Sequence, residues 1–233
     1  MNNKLRKEIL KASYEAGACH IGSALSCVDI LIELYFNVLK DDDIFLFGKA
    51  SGVGALYCIL AEKGIIEKEK VVYYLKNYPL ASKEVPGVIH SVGSVGTALS
   101  VAVGLALADR NKRVFVLLSD GDLNEGATYE AALFAHHHKL TNLYVMVDNN
   151  GFQALGATKD ILGLETAFDF YKKTLPNCEI IDTIKGRGVA RFENDYRWHY
   201  FNLDDIILRE ALEDIDNEKM YQKRKKLYLH NRK

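Results

Sequence analysis

The chain carries almost no net charge: 30 Lys and Arg stand against 31 Asp and Glu, leaving −1 at neutral pH. Such a balance gives no electrostatic ground for nucleic acid or a membrane as partner. The four cysteines, Cys19, Cys27, Cys58 and Cys178, make no CxxC pair and no metal-ligand spacing. They read as reduced, mostly buried thiols of a cytoplasmic protein. Residues 1–8 are polar and the apolar residues that follow have helical spacing, so no signal peptide is expected. Apolar runs are expected to fall far short of the roughly 20 residues that span a bilayer. Internal repeats, low-complexity tracts and an interdomain linker are also missing. What remains, at 233 residues with 48% apolar and 26% charged content, is ordinary globular composition, one large domain or two small ones. The expectation is a single domain over residues 1–233 with a helical extension from about 204.

Periodicity then orders the chain. Residues 5–16 predict an amphipathic helix, followed by a Gly-bounded loop at 17–22. Ser26 suits the N-cap of an apolar helix over 27–39. After the Asp41-Asp42-Asp43 turn comes a short buried strand at 44–47, then helices over 53–63 and 67–76, with Gly64 ending the first. A loop with Pro79 and Pro86 leads to Gly93-Ser94-Val95-Gly96 and a small-residue helix over 97–108. Helix is expected at 162–171, strand at 178–184, a turn at Gly186-Arg187-Gly188, and helix at 204–214. The end of the chain, 219–233, is rich in Lys and Arg, and we expect a solvated terminal face there. The glycines of 93–96 lack the third glycine and the strand context of a dinucleotide fingerprint.

The most informative stretch is Ser119 to Gly156. Two apolar, β-branched runs at 114–118 and 143–147 each end in an acidic or amide turn, Asp120-Gly121-Asp122 and Asp148-Asn149-Asn150-Gly151. One amphipathic segment of helical length lies between them, so the unit reads as a parallel crossover. Both turns then fall at the carboxyl ends of their strands, where open α/β sheets bind ligands. Asp120 and Asn150, thirty residues apart, can face each other there. A carboxylate, an amide oxygen and a backbone carbonyl are hard ligands that suit Mg²⁺ with a ligand diphosphate completing the shell. The helix beginning near Glu125 can point its N–H groups toward such a phosphate. His136-His137-His138 is not read as a metal cluster, because consecutive helical residues point about 100° apart.

Gly-Asp-Gly-like and Asn-Asn turns at this spacing resemble the thiamine-diphosphate and Mg²⁺ motif of thiamine-dependent enzymes. With Leu123-Asn124-Glu125-Gly126, Glu130-Ala131-Ala132 and Lys139-Leu140, the wording is similar to transketolase, specifically to an N-terminal half made as a separate subunit. Further similarity lies in 16–23 with Leu25-Ser26 and Asp29-Ile30-Leu31, in Pro86-Gly87-Val88 with 93–96, and in 185–189 with Glu193-Asn194 and Trp198-His199. The resemblance implies an α/β fold, a parallel sheet flanked by helices on both faces, one strand–helix unit shorter than the family after Tyr171. It implies that Asp120 and Asn150 hold Mg²⁺ by side chain and Phe152 by its carbonyl. Gly93, Ser94, Val95, Asp120, Gly121, Asp122, Asn150, Phe152 and His199 would bind thiamine diphosphate. His20, His199 and Glu125 would be catalytic, with Glu125 and Glu130 at the family's subunit-interface glutamates. The family's activating glutamate lies in a following domain. A C-terminal partner subunit carrying the pyrimidine-binding domain is therefore implied, in a dimer or an α₂β₂ heterotetramer.

Departures from the family pattern fall on the sugar side. A family histidine is replaced by Ser51 in Gly48-Lys49-Ala50-Ser51-Gly52, and another by Tyr78 before Pro79. Thr97-Ala98 replaces Gln-Gly, and Leu155 replaces an Asp. The implied function is transfer of a two-carbon ketol unit from a ketose to an aldose, on a sugar or sugar phosphate outside the common pathway. Two alternatives stay open: a chain that binds cofactor or partner without catalysis, and another thiamine enzyme such as a keto-acid dehydrogenase or deoxyxylulose-phosphate synthase relative.

Overall fold

The computed structural model describes residues 1–230. Its helices run in chain order as α1 (Asn2–Ala16), α2 (Ile21–Glu33), α3 (Val53–Glu62), α4 (Val71–Asn77), α5 (Ala98–Ala108), α6 (Gly126–His137), α7 (Thr158–Ile161), α8 (Glu165–Thr174), α9 (Asp205–Asp216) and α10 (Glu218–His230). The strands are β1 (Ile44–Phe47), β2 (Val114–Ser119), β3 (Leu143–Asn149) and β4 (Cys178–Asp182). They divide into two compact units: residues 1–37, 51–79 and 183 onward, and residues 38–50 with 80–182.

The second unit holds the whole sheet, four parallel strands in the order β1-β2-β3-β4. Register decides which face each helix covers. Ile44, Val114 and Leu143 form one row; Leu46, Val116, Val145 and Cys178 the next; Leu118, Val147 and Ile180 the third. All ten side chains belong to or pack against one apolar cluster, together with Ala98, Leu99, Ala102, Val103 and Ala106 of α5, Ala131, Ala132 and Ala135 of α6, and Ala167 and Tyr171 of α8. Three successive crossovers of the same hand put their helices on one face, as right-handed parallel connections require. The small residues of α5 and α6 let backbone approach sheet closely, which an apolar helix of larger side chains cannot do. On the opposite face Phe115 and Tyr144 stack at 4.7 Å, and Phe47, Phe115, Leu117 and Met146 are buried as well. Strands buried on both faces are the rule in parallel sheets and explain why these runs are continuously apolar.

In the first unit α1 ends where Gly17 takes φ 63° and its N–H bonds back to the Tyr14 carbonyl, the left-handed cap that glycine supplies. The next helix differs from expectation. It starts at Ile21, with His20 in its N-cap position, and Ser26 lies inside it. The hydroxyl of Ser26 donates 3.0 Å back to the Ser23 carbonyl, so a residue that reads as a cap is satisfied one turn upstream instead. A π-helical turn, Leu34–Val38, follows directly. Together Ile21–Val38 is long and apolar enough to cross a bilayer, contrary to the expectation of only short runs. Most of it is buried in the fold and α2 packs on α1 and α3, as a core helix does. Other boundaries shift by local chemistry: 67–76 splits into a 3₁₀ turn and α4, and helix is broken at 162–164 between α7 and α8.

The basic end is not merely a solvated face. Within α10, Arg224 pairs with Glu213 and with Asp214, the latter at 2.6 Å, and Lys225 pairs with Glu193 at 2.7 Å. Residues 231–233 of that stretch lie outside the described residues.

Candidate functional site

Parallel pairing brings Ser119 of β2 level with Asp148 of β3, so both turns leave the sheet at the same edge. There the side chains of Asp120 and Asn150 converge on one point. The Phe152 N–H donates to Asp120 Oδ2 at 3.2 Å and to Asn150 Oδ1 at 3.0 Å. Asp120 and Asn150 are buried at 1% and 5% exposure. Gly151, at φ 77°, supplies the bend that swings Phe152 back, and an Asn-Gly pair favours such a turn. Residues 152–157 then double on themselves through the Phe152–Ala157 bridge, leaving Leu155 at the exposed tip. Gly121 sits in the 3₁₀ turn Asp120–Asn124, its N–H donating to Asp120 Oδ1 at 3.1 Å.

Asp122 makes a different set of contacts. Its Oδ2 accepts from the Ser119 N–H (2.8 Å) and hydroxyl (2.6 Å), and its Oδ1 from the Gly96 N–H at 2.7 Å. Both carboxylate oxygens are thus engaged in bracing the Gly93–Gly96 loop against the β2 turn. Thr128 adds a bond from its hydroxyl to the Asp122 carbonyl, 2.7 Å. Gly96 has φ 84°, and a Cβ there would lie 2.4 Å from Glu125 Cβ; only glycine fits this close approach. Glu125 therefore borders the loop, at the start of α6, while Glu130 is exposed on that helix. Ser94 accepts from the Thr97 hydroxyl at 3.0 Å, and Val95 presents its side chain outward, 49% exposed. The Tyr171 hydroxyl donates to the Leu123 carbonyl at 3.2 Å, tying α8 to the same turn.

One residue pair escaped the sequence reading. Lys49, just past β1, meets Asp148 at 3.1 Å, and both side chains are almost wholly buried. Breaking a buried pair by removing one partner costs about 3–5 kcal/mol. The signal was available in a lysine directly following a short apolar strand, where an unpaired charge would be costly.

In the first unit, His20 has φ 68°, a strained conformation for a residue with a Cβ, costing about 1–2 kcal/mol. Its N–H donates to the His199 carbonyl at 3.0 Å, and its own carbonyl accepts from Ser23 and Ala24. The two imidazoles stand edge to face, 4.6 Å apart. Burial, then the charge of Lys185, push the His20 pKa below its ordinary value. His20 consequently favours the neutral imidazole, able to accept a proton. Ser23 Oγ lies 3.5 Å from His199 Nδ1. Cys19, His20, Ser51 and Pro79 line one small space, which places Ser51 beside the histidine. Tyr78 leans on Tyr74 and its carbonyl accepts from the Tyr57 hydroxyl at 3.1 Å.

The histidine run 136–138 is dispersed: His136 Nδ1 meets the Thr174 carbonyl at 2.9 Å, while His137 and His138 stack edge to face. Among the described residues no three His, Cys, Asp or Glu side chains converge. The cradle at Asp120 is of another kind, one carboxylate with one amide oxygen, which suits a hard cation that takes its remaining ligands from a phosphate.

Known proteins are similar to this chain in sequence and in fold. A family model described as 1-deoxy-D-xylulose-5-phosphate synthase matches residues 1–187. One of the subunits of the apulose-4-phosphate transketolase of Actinobacillus succinogenes is 34% identical over 255 residues, covering 90% of this chain and 92% of that one. The chain belongs to the transketolase family, as the N-terminal subunit of a split enzyme. Another relative, from the 6-deoxy-6-sulfo-D-fructose transketolase of Clostridium, is 28% identical and is covered over 95% of its length. The transketolase of Campylobacter jejuni has the same fold, with a TM-score of 0.78 over 97% of this chain at 19% identity. The chain spans 45% of that enzyme. As a transketolase subunit it is a transferase component that acts with a partner chain.

Proposed function

We propose that this subunit binds thiamine diphosphate and Mg²⁺ and, with a C-terminal subunit carrying the pyrimidine-binding domain, transfers a two-carbon ketol unit from a ketose to an aldose. The observation that carries the reading is the convergence of Asp120 and Asn150 oxygens on the Phe152 N–H. In this reading Asp120, Asn150 and the Phe152 carbonyl hold the metal, and the loop 93–96 braced by Asp122 receives the organic ring. When bound, the cofactor supplies a nucleophilic carbon and an electron sink.

The chain's own residues orient and move protons. His20, kept neutral by burial beside Lys185, accepts a proton from a sugar hydroxyl or steadies an oxygen on which charge develops. His199, edge to face against it, shares that task. Glu125 borders the ring-receiving loop and would meet a neighbouring subunit. We infer one cofactor-binding subunit over residues 1–233, working in the cytoplasm as a dimer or α₂β₂ assembly. The ketose is taken to be an uncommon one, because Ser51 stands beside His20 where the family carries histidine, and two relatives matched over nearly their whole length are named for apulose 4-phosphate and a sulfofructose.

Calorimetric titration of thiamine diphosphate with Mg²⁺ into the reconstituted complex tests this. Asp120→Ala and Asn150→Ala should each weaken binding tenfold or more, about 1.4 kcal/mol, and the isolated chain should turn over no ketose. Unchanged affinity in both variants removes the metal cradle, and turnover by the isolated chain removes the partner.

A further inference from the structure

The last helix reaches the segment that carries His199. Tyr221 and Lys225, one turn apart on α10 and so on the same side of it, close a triangle with Glu193. The Tyr221 hydroxyl lies 2.8 Å from Glu193 Oε1, the Lys225 Nζ lies 2.7 Å from Oε2, and Lys225 Nζ lies 2.8 Å from the Tyr221 hydroxyl. Glu193 is 5% exposed and its Oε1 also accepts from the Gly188 N–H at 3.0 Å. The clamp therefore holds a tight loop at Glu193 and, through it, at Gly188. That loop is closed by Asn194, whose N–H donates to the Lys185 carbonyl at 3.0 Å. It packs so closely that a Cβ on Gly186 would lie 2.5 Å from the Phe192 carbonyl oxygen.

Beyond the loop lies the histidine. Trp198 donates its indole N–H to the Arg191 carbonyl at 3.1 Å and its ring lies 4.1 Å from Phe192. His199 follows Trp198 directly and gives its carbonyl to the His20 N–H. On the other side the loop borders a cavity of about 430 Å³ lined by Arg6, Asp29, Arg187, Gly188, Asp214 and Tyr221, among others. Val189, Ala190 and Phe192 anchor the loop in the apolar interior, while its contacts with α10 are polar.

We propose that α10 is a positioning element for the His20–His199 pair, acting through the Tyr221–Lys225–Glu193 clamp on residues 185–194. Its catalytic consequence rests on the function proposed above; its structural consequence does not. Releasing the clamp lets the loop shift into the cavity, moving Lys185 and Trp198 and with them both histidines. The groups facing His20 are Cys19 beside it, Lys185 and His199 from the 183–200 segment, and the Tyr200 ring at 6.5 Å. Burial is the larger cause that holds His20 toward neutrality, and of these groups Lys185 is the charge that adds to it.

The test uses the full chain with labelled histidines, carrying Tyr221→Phe with Lys225→Met, and Lys225→Arg as the conservative variant. NMR titration should show the His20 pKa rising toward its ordinary value in the double variant, with His199 resonances displaced, while far-UV circular dichroism keeps its helix signal. Lys225→Arg should restore both. In the reconstituted complex, kcat should fall about tenfold or more with KM changed less, the pattern of misplaced groups. Unmoved histidine resonances in the folded double variant overturn the proposal. Displaced resonances, with a wild-type complex that transfers no ketol unit, uphold the clamp and remove the proposed function instead. Loss of helix signal in the double variant passes the decision to Tyr221→Phe alone, read by the same resonances: unmoved, they overturn the proposal.

Discussion

Replacing Asp122 by Asn should destabilise the protein with no cofactor present. The substitution keeps shape and removes charge. At present three donors meet two oxygens: Ser119 N–H and hydroxyl on one, Gly96 N–H on the other, all within 2.8 Å. An amide offers only one oxygen. Turned toward Ser119, it sets its NH₂ against the Gly96 N–H; turned toward Gly96, it sets its NH₂ against the Ser119 N–H. The Ser119 hydroxyl can reverse and accept, but neither backbone N–H can. Either orientation leaves one buried donor unmet, about 1–3 kcal/mol, and strips the charge from the bonds that remain, which are roughly half as strong when neutral. A total of about 2–4 kcal/mol follows, or roughly 5–15 °C in Tm for a chain of this size. Scanning calorimetry of the chain without thiamine diphosphate reads it directly. A transition within about 1 °C of wild type, combined with weakened cofactor binding, would refute the bracing role and return Asp122 to the ligand itself.

Two other outcomes follow from the first unit. Ser51→His together with Tyr78→His should raise kcat/KM of the reconstituted complex on xylulose 5-phosphate, since each restored donor meets a sugar hydroxyl or phosphate otherwise left at a cost of about 1–3 kcal/mol; steady-state kinetics showing no gain removes Ser51 and Tyr78 as the source of substrate choice. His20, whose folded pKa is depressed by burial and by Lys185, binds fewer protons folded than unfolded, so its contribution to stability is full above about pH 6.5 and is lost as the pH falls through the folded pKa. Urea unfolding from about pH 7 down to pH 5 should therefore cost wild type more stability than His20→Asn, and equal losses would set the depressed pKa aside.

The sheet was readable because its code is local. β1 matches the expected residues 44–47, and β2 and β3 run only one or two residues longer than read, because a β-branched apolar run ended by Asp-Gly or Asn-Gly admits few other structures. The convergence of Asp120 and Asn150 follows from that register alone. The start of α2 was not readable. Ser26 has the right chemistry for a cap, and only the tertiary bond between His20 N–H and the His199 carbonyl, 179 residues on, moves the helix start upstream. Lys49 and Asp148 stand at the ends of non-adjacent strands β1 and β3, a pairing that appears only once strand order is known. The basic end misled for the same reason: Glu193, Glu213 and Asp214 are separated in sequence from Lys225 and Arg224, so their charges look solvated until α10 is seen folding back.

The candidate residues of each unit are held by different physics. The oxygen cradle of Asp120, Asn150 and Phe152 is attached to strand ends in a packed sheet, where a shift of one residue would turn every core side chain outward. It moves only if the sheet does. The His20–His199 pair hangs on loops with positive φ at His20, Gly186, Gly188 and Asn194, held by individual hydrogen bonds and by the packing of Trp198 on Phe192. Each such bond is worth about 0.5–1.5 kcal/mol, small against the sheet's packing. Substitutions in the first unit can thus re-aim the histidines and replace Ser51, which on the proposed function would face the sugar, while leaving the cradle intact. On the function proposed above, residues such as Ser51 and Tyr78 could change without rebuilding the cradle of Asp120, Asn150 and Phe152, because they hang on a different structural support.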